Sequence, residues 1–128
     1  MKILLIDDSA IIRRVLINAL NEILPEVTIV EASDGDIGLR VLKEHSDVDI
    51  IFLDFNMPNM RGDVCLEHIR KIVEYNKIKI IMATTEAEKK TVLKMMRLGA
   101  NGYLVKPFNP ETIANSLRPI VAKMGIEI

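Results

Sequence analysis

Cysteine is nearly absent: Cys65 stands alone among 128 residues. No disulfide can form within the chain, and a lone thiol suits a reducing compartment. Tryptophan is missing and there are only two Tyr and three Phe, so the core must be aliphatic, with seven Met as filler. The N-terminal apolar run, Ile3 to Ile6, stops at two aspartates. It is too short for a signal peptide, and no stretch approaches a membrane span. Neither charge sign dominates, with 17 Lys plus Arg against 18 Asp plus Glu. That balance gives no electrostatic case for nucleic acid or a membrane surface as direct partner. A glycine-rich phosphate loop is also missing, since Gly35-Asp36-Ile37-Gly38 lacks the spacing. No serine sits in a nucleophile elbow. His45 and His68 are far apart in the chain and read as surface or helix filler. The expectation is one soluble cytoplasmic domain that is none of the common nucleotide- or serine-dependent enzymes.

What the chain does have is a repeated alternation. Four short runs, ILLIDD, IIFLD, IIMATT and YLVKPF, read as buried strands that end in polar chemistry. The spacing predicts five β-α units. Strands are expected at Lys2–Asp7, Val27–Glu31, Asp49–Asp54, Ile78–Ala83 and Gly102–Val105. The first helix is expected from Ser9, as N-cap, to about Leu20, and the second over about Asp34–Glu44, with Asp34 as turn and cap. After the loop FNMPNMRG a third helix runs on to about Glu74. The fourth covers about Ala87–Leu98 and ends at Gly99, a residue suited to a helix C-terminus. The fifth opens with Asn109 as N-cap and Pro110 at the first helical position, and runs to about Val121, with Pro119 positioned to kink or shorten it. Cys65 falls in the third helix as a small packed hydrophobe. Lys89, Lys90, Lys94 and Arg97 on the fourth form a solvated or docking face.

Strands alternating with helices form a parallel sheet, which brings all strand carboxyl ends to one edge. Asp7, Asp8, Asp54, Thr84 and Lys106 therefore converge on one crevice. Alone, Asp7-Asp8 is equally well explained by a solvated turn or a helix cap, and Thr84 is unremarkable beside a strand. Asp54 follows four apolar residues without a spacer, which places a third carboxylate at the rim of a buried strand. Clustered carboxylates repel unless a cation intervenes, and an all-oxygen set suits Mg²⁺. Lys106, held extended by Pro107, offsets that charge; it serves equally as a salt-bridge partner or as a ligand for a phosphoryl oxygen.

These residues, with the loop Asp54–Gly62 containing Met57-Pro58, and the run Gly99–Phe108 containing Tyr103 and Lys106-Pro107-Phe108, are what the chain shares with a known family. It resembles the receiver domain of two-component response regulators, and within it the single-domain, chemotaxis (CheY-like) type, over essentially its whole length. The resemblance implies a flavodoxin-like (βα)5 fold with sheet order 2-1-3-4-5. It implies that Asp54 is the phosphoacceptor and that Asp7, Asp8, Asp54 and the Asn56 main-chain carbonyl hold Mg²⁺. Thr84 and Lys106 would bind the phosphoryl oxygens, and Thr84 with Tyr103 would form the switch. A histidine kinase would be the phosphodonor, and a downstream protein would bind the face of helix four, strand five and helix five of a monomer or weak dimer. Two positions depart from the family pattern. Thr85 stands where Ala or Gly is usual, and Arg61 where an acid is common. Asn56, Thr85 and Glu86 flank the approach to Asp54 and are expected to modulate access. Residues 1–128 are expected to form a freestanding receiver without an output domain. The alternatives are a receiver fragment of a DNA-binding regulator, a phosphorelay intermediate and an unphosphorylated adaptor.

Overall fold

Strand β3 (Ile50–Asp54) is buried at every position, as a strand must be when helices cover both faces of its sheet. The computed structural model describes residues 1–85 and 88–128. β3 lies at the centre of five parallel strands, between β1 (Lys2–Ile6) and β4 (Lys79–Thr84). β2 (Thr28–Ala32) and β5 (Gly102–Val105) are the edges, and the order is β2-β1-β3-β4-β5, as the resemblance implied.

Alternation along each strand divides the core in two. Leu4, Ile6, Ile51, Leu53, Ile80 and Met82 point to one face. There they meet helices α2 (Gly35–Glu44), α3 (Gly62–Arg70) and α4 (Lys89–Arg97). Ile3, Leu5, Ile50, Phe52 and Ile81 point to the other face, against α1 (Ala10–Ile23) and α5 (Pro110–Ala122). Cys65 is buried in the first cluster, and burial pushes its thiol up to about 12. It is an inert packing group at neutral pH.

Helix starts follow local chemistry. The Ser9 and Asp34 side chains accept from Ile12 N and Ile37 N. Asn109 and Thr112 form a reciprocal capping box ahead of Pro110 at the first helical position. Gly99 takes φ +107° just past α4, the left-handed conformation that glycine adopts most easily.

Several expected boundaries move. α1 continues to Ile23, one turn past Leu20, and ends at Leu24 because the residue before Pro25 is pushed out of the helical region. β2 and β4 each sit one residue later than expected, since pairing with the strand alongside, Lys2↔Thr28 and Ile50↔Lys79, decides their register. α3 ends at Arg70 rather than near Glu74, and a separate 3₁₀ turn covers Val73–Tyr75. Pro119 does not interrupt α5: it lies exposed in the last turns, and the helix runs through it to Ala122 although it cannot donate to the carbonyl of Asn115. The expected start of the fourth helix at Ala87 lies outside the described residues.

Candidate functional site

The carboxyl ends of β1, β3, β4 and β5 deliver the expected groups to one edge. Asp7 immediately follows β1 and its backbone N–H donates to Ala32 O, so the strand end is fixed. Its Oδ1 accepts from Ser9 N at 2.9 Å, and Arg13 Nη1 donates to its backbone carbonyl. Arg13 in turn pairs with Glu31 at 2.9 Å. Asp54 closes β3, opposite Ala83 of β4. Phe55 N donates to Ala83 O, and Lys106 N donates to Thr84 O at 2.7 Å. Backbone pairing thus sets Lys106 against Thr84 before any side-chain contact is made. The Lys106–Pro107 peptide is cis.

Asp7 and Asp54 are almost fully buried, whereas Asp8 is exposed. One carboxylate oxygen from each of the three lies within 4.8 Å of the others. The Lys106 ammonium touches two of them, at 2.8 Å from Asp54 Oδ1 and 3.3 Å from Asp7 Oδ2. Asn56 N also donates to Asp54 Oδ1, at 3.2 Å. Among the described residues Asp54 Oδ2 is buried with no hydrogen bond and no ion pair, and Asp7 Oδ2, also buried, meets only the Lys106 ammonium. Two under-coordinated anionic oxygens beside an exposed third carboxylate form a donor set suited to a hard divalent cation.

The electrostatics agree. Burial, joined by the charge of Asp7, outweighs Lys106 and raises the Asp54 carboxyl to about 6. Lys106 is pulled down by burial, but its hydrogen bond to Asp54 and the two negative charges outweigh that and hold it above its ordinary value. At neutral pH Asp54 and Lys106 are therefore a charged pair.

Thr84 is fully buried at the end of β4, while Tyr103 on β5 is turned outward, 46% exposed. Thr85 is exposed at the mouth of the site, and its Oγ1 accepts from Asn56 Nδ2 at 3.4 Å. Glu86 lies outside the described residues. Arg61 does not turn toward Asp54: its guanidinium lies 5.2 Å from the centre of the Phe55 ring and pairs with Asp63. The Asp54–Gly62 loop folds back so tightly that a Cβ on Gly62 would collide with the backbone of Asp54 and Phe55. Glycine is required there by close approach.

Sequence reasoning missed Arg13 and the pair Asp63–Lys94. Arg13 comes one helical turn after the Ser9 cap and reaches back over the strand end, which only the angle of α1 decides. Asp63 and Lys94 lie in different helices and meet at 3.1 Å by packing alone.

Residues 3–118 match the family model described as Response regulator receiver domain. The chain is 35% identical over 121 residues to a Campylobacter jejuni chemotaxis protein, a CheY homolog, covering 94% of this chain and 92% of that one. It is 36% identical over 124 residues to Vibrio cholerae chemotaxis protein CheY-3, covering 97% and 94%. The crystal structure of Vibrio cholerae CheY4 superposes with a TM-score of 0.85 at 34% identity, over 93% of this chain and 97% of that one. No described helix is long and apolar enough to cross a membrane.

Proposed function

The chain belongs to the response regulator receiver family, of the CheY type, and on that premise we propose that it is a switch thrown by phosphorylation of Asp54. A signalling switch of this type is not a conventional enzyme. The observation that carries the proposal is the buried acid pair: among the described residues Asp54 Oδ2 has no partner, and Asp7 Oδ2 has only the shared Lys106 ammonium. Burying carboxylate oxygens so poorly partnered costs stability, and a divalent cation with a phosphoryl group would satisfy both.

Asp7, Asp8, Asp54 and the Asn56 carbonyl would hold Mg²⁺. Bound there, it neutralises phosphoryl charge and aligns donor with acceptor. The Asp54 carboxylate attacks the phosphorus of a phosphohistidine on a histidine kinase. An O–P bond forms, the N–P bond breaks, and its electron pair leaves on the imidazole nitrogen. Lys106 exchanges its hydrogen bond with Asp54 Oδ1 for one to a phosphoryl oxygen, and Thr84 donates to another. Water later attacks the same phosphorus, and the Asp54 carboxylate departs as leaving group. Asn56, Thr85 and Glu86 border that approach.

Phosphorylation adds about −1.5 to −2 charge and three strong acceptors. Thr84 shifts toward them and vacates space into which Tyr103 turns, altering the α4–β5–α5 face that meets a target protein. This is a population shift between two packings. The chemotaxis names of the relatives support a chemotaxis-type output from a cytoplasmic protein. Treatment with phosphoramidate and Mg²⁺ should add one phosphoryl mass to the wild type and none to Asp54→Asn, since an amide cannot form an acyl phosphate. An undiminished adduct in the variant would place the acceptor elsewhere.

A further inference from the structure

Asp63 is a buried carboxylate in the first turn of α3. Its Oδ1 accepts from Val64 N at 3.0 Å, and its Oδ2 takes two cations, Arg61 Nη2 at 3.2 Å and Lys94 Nζ at 3.1 Å. The two cations come from different parts of the protein. Arg61 belongs to the loop that follows Asp54, lies over the Phe55 ring and precedes Gly62, whose N–H donates to Phe55 O at 2.9 Å. Lys94 belongs to α4. That helix buries Met95 alone, presents Leu93 and Met96 to solvent, and has no side-chain capping bond at Glu88. Its C-terminal end is fixed separately, by Arg70 Nε donating to Gly99 O at 2.9 Å.

One carboxylate thus ties the phosphoacceptor loop to a lightly buried helix on the output face. We propose that Asp63 is a latch, holding α4 against α3 through Lys94 in the unphosphorylated protein and so setting how rarely the activated packing is visited. This rests on the switch proposed above. The latch is closed in the packing that turns Tyr103 outward, and a contact made in only one of two packings biases the protein toward it. Arg61 is essential to the device. It keeps Asp63 paired when Lys94 departs, so opening α4 does not leave a buried carboxylate without a cation. A cation at position 61, where the family commonly has an acid, fits that requirement.

The test uses Lys94→Met, which keeps the apolar stem and removes the ammonium, with Asp63→Asn as the second variant. Two readouts are followed: hydrogen exchange of α4 amides in the unmodified protein, and the loading rate from phosphoramidate with Mg²⁺. Both variants should exchange faster in α4 and load about two- to fivefold faster, the factor one partly exposed ion pair carries. The double variant should be no faster than Asp63→Asn, because both changes break one contact. Lys90→Met removes the same charge from the same helix outside the latch and should leave both readouts unchanged. Unchanged exchange in Lys94→Met overturns the latch whatever happens to phosphorylation. Faster exchange with unchanged loading shows a tether that does not govern the switch, and overturns the regulatory role. If even the wild type fails to load, the phosphorylation proposal has failed instead, and the exchange arm still decides whether the tether exists.

Discussion

Charge is at least half-buried at both ends of the sheet, and the two ends treat it in opposite ways. At the amino-terminal end of β4, the Arg70 guanidinium donates to Gly99 O, Tyr75 O, Ile78 O and Asn101 Oδ1, all between 2.8 and 3.0 Å. Asn101 Oδ1 also accepts from Ile80 N at 2.9 Å. Every partner is neutral, and four of the five N–H donors are used. At the carboxyl end, Asp7 and Asp54 are deeper, share one ammonium, and among the described residues leave Asp54 Oδ2 with no hydrogen bond or ion pair. A satisfied charge fixes loops; a buried, under-partnered one is suited to a ligand. The first is architecture and the second fits the proposed site, although both are ions at strand ends.

The largest expected effect breaks the satisfied end. Arg70→Met removes four hydrogen bonds, two of them to acceptors that keep another donor (Asn101 Oδ1 from Ile80 N, Tyr75 O from Ile78 N), and should lower stability by about 2–4 kcal/mol in urea unfolding. Arg70→Lys should recover only part of that, because one ammonium cannot serve acceptors spread around a planar fork. Loading from phosphoramidate, measured on the fraction that is folded, should be unchanged in both. A small stability loss would mean that Arg70 is ornamental and that the contrast between the two ends is false.

The next effect comes from the unsatisfied end and has the opposite sign. The Asp54 carboxyl titrates near 3.8 when unfolded and near 6 when folded. Below pH 3.8 it is protonated in both states and contributes nothing. As pH rises toward 6 the unfolded chain ionises first, so the metal-free fold loses stability, and above pH 6 the cost is complete at about 3 kcal/mol. Asp54→Asn should therefore be the more stable protein at pH 8 without metal, and the difference should vanish near pH 4. A mutant less stable than wild type at pH 8 would show that the Lys106 pair is stabilising on balance.

The smallest effect concerns access. Thr85 adds two heavy atoms over Ala at the site mouth and accepts a long hydrogen bond from Asn56. Thr85→Ala should speed loading from phosphoramidate, or decay of the phosphorylated protein with Mg²⁺, by about two- to threefold, since in-line attack tolerates little crowding. Unchanged or slower rates in both assays would show that the side chain does not gate the site.

How far these features were legible in the chain follows a physical line. β1, β3 and β4 are covered on both faces, so their apolar runs were plain, and the strand order follows from the resemblance carried by the site motifs. The groups at strand ends were legible too, because a parallel sheet fixes where Asp7, Asp54, Thr84 and Lys106 meet. Single-residue registers were not, since β2 and β4 are placed by pairing rather than by their own residues. The early end of α3 was hidden for a similar reason. Arg70 captures carbonyls from residues 75, 78 and 99, and no local signal announces that. The Asp63–Lys94 contact joins two helices 31 positions apart. Each residue alone looks like an ordinary helix-surface charge.

The central claim is that the unsatisfied acids form a divalent-cation site and the satisfied arginine does not. Thermal unfolding with and without Mg²⁺ tests it most directly. At about ten times its Kd, Mg²⁺ should stabilise the wild type by about 1.4 kcal/mol through linkage. Arg70→Lys, although less stable, should keep that increment in full, while Asp8→Asn and Asp54→Asn should lose most of it. An equal Mg²⁺ increment in wild type and in both aspartate variants would contradict the account.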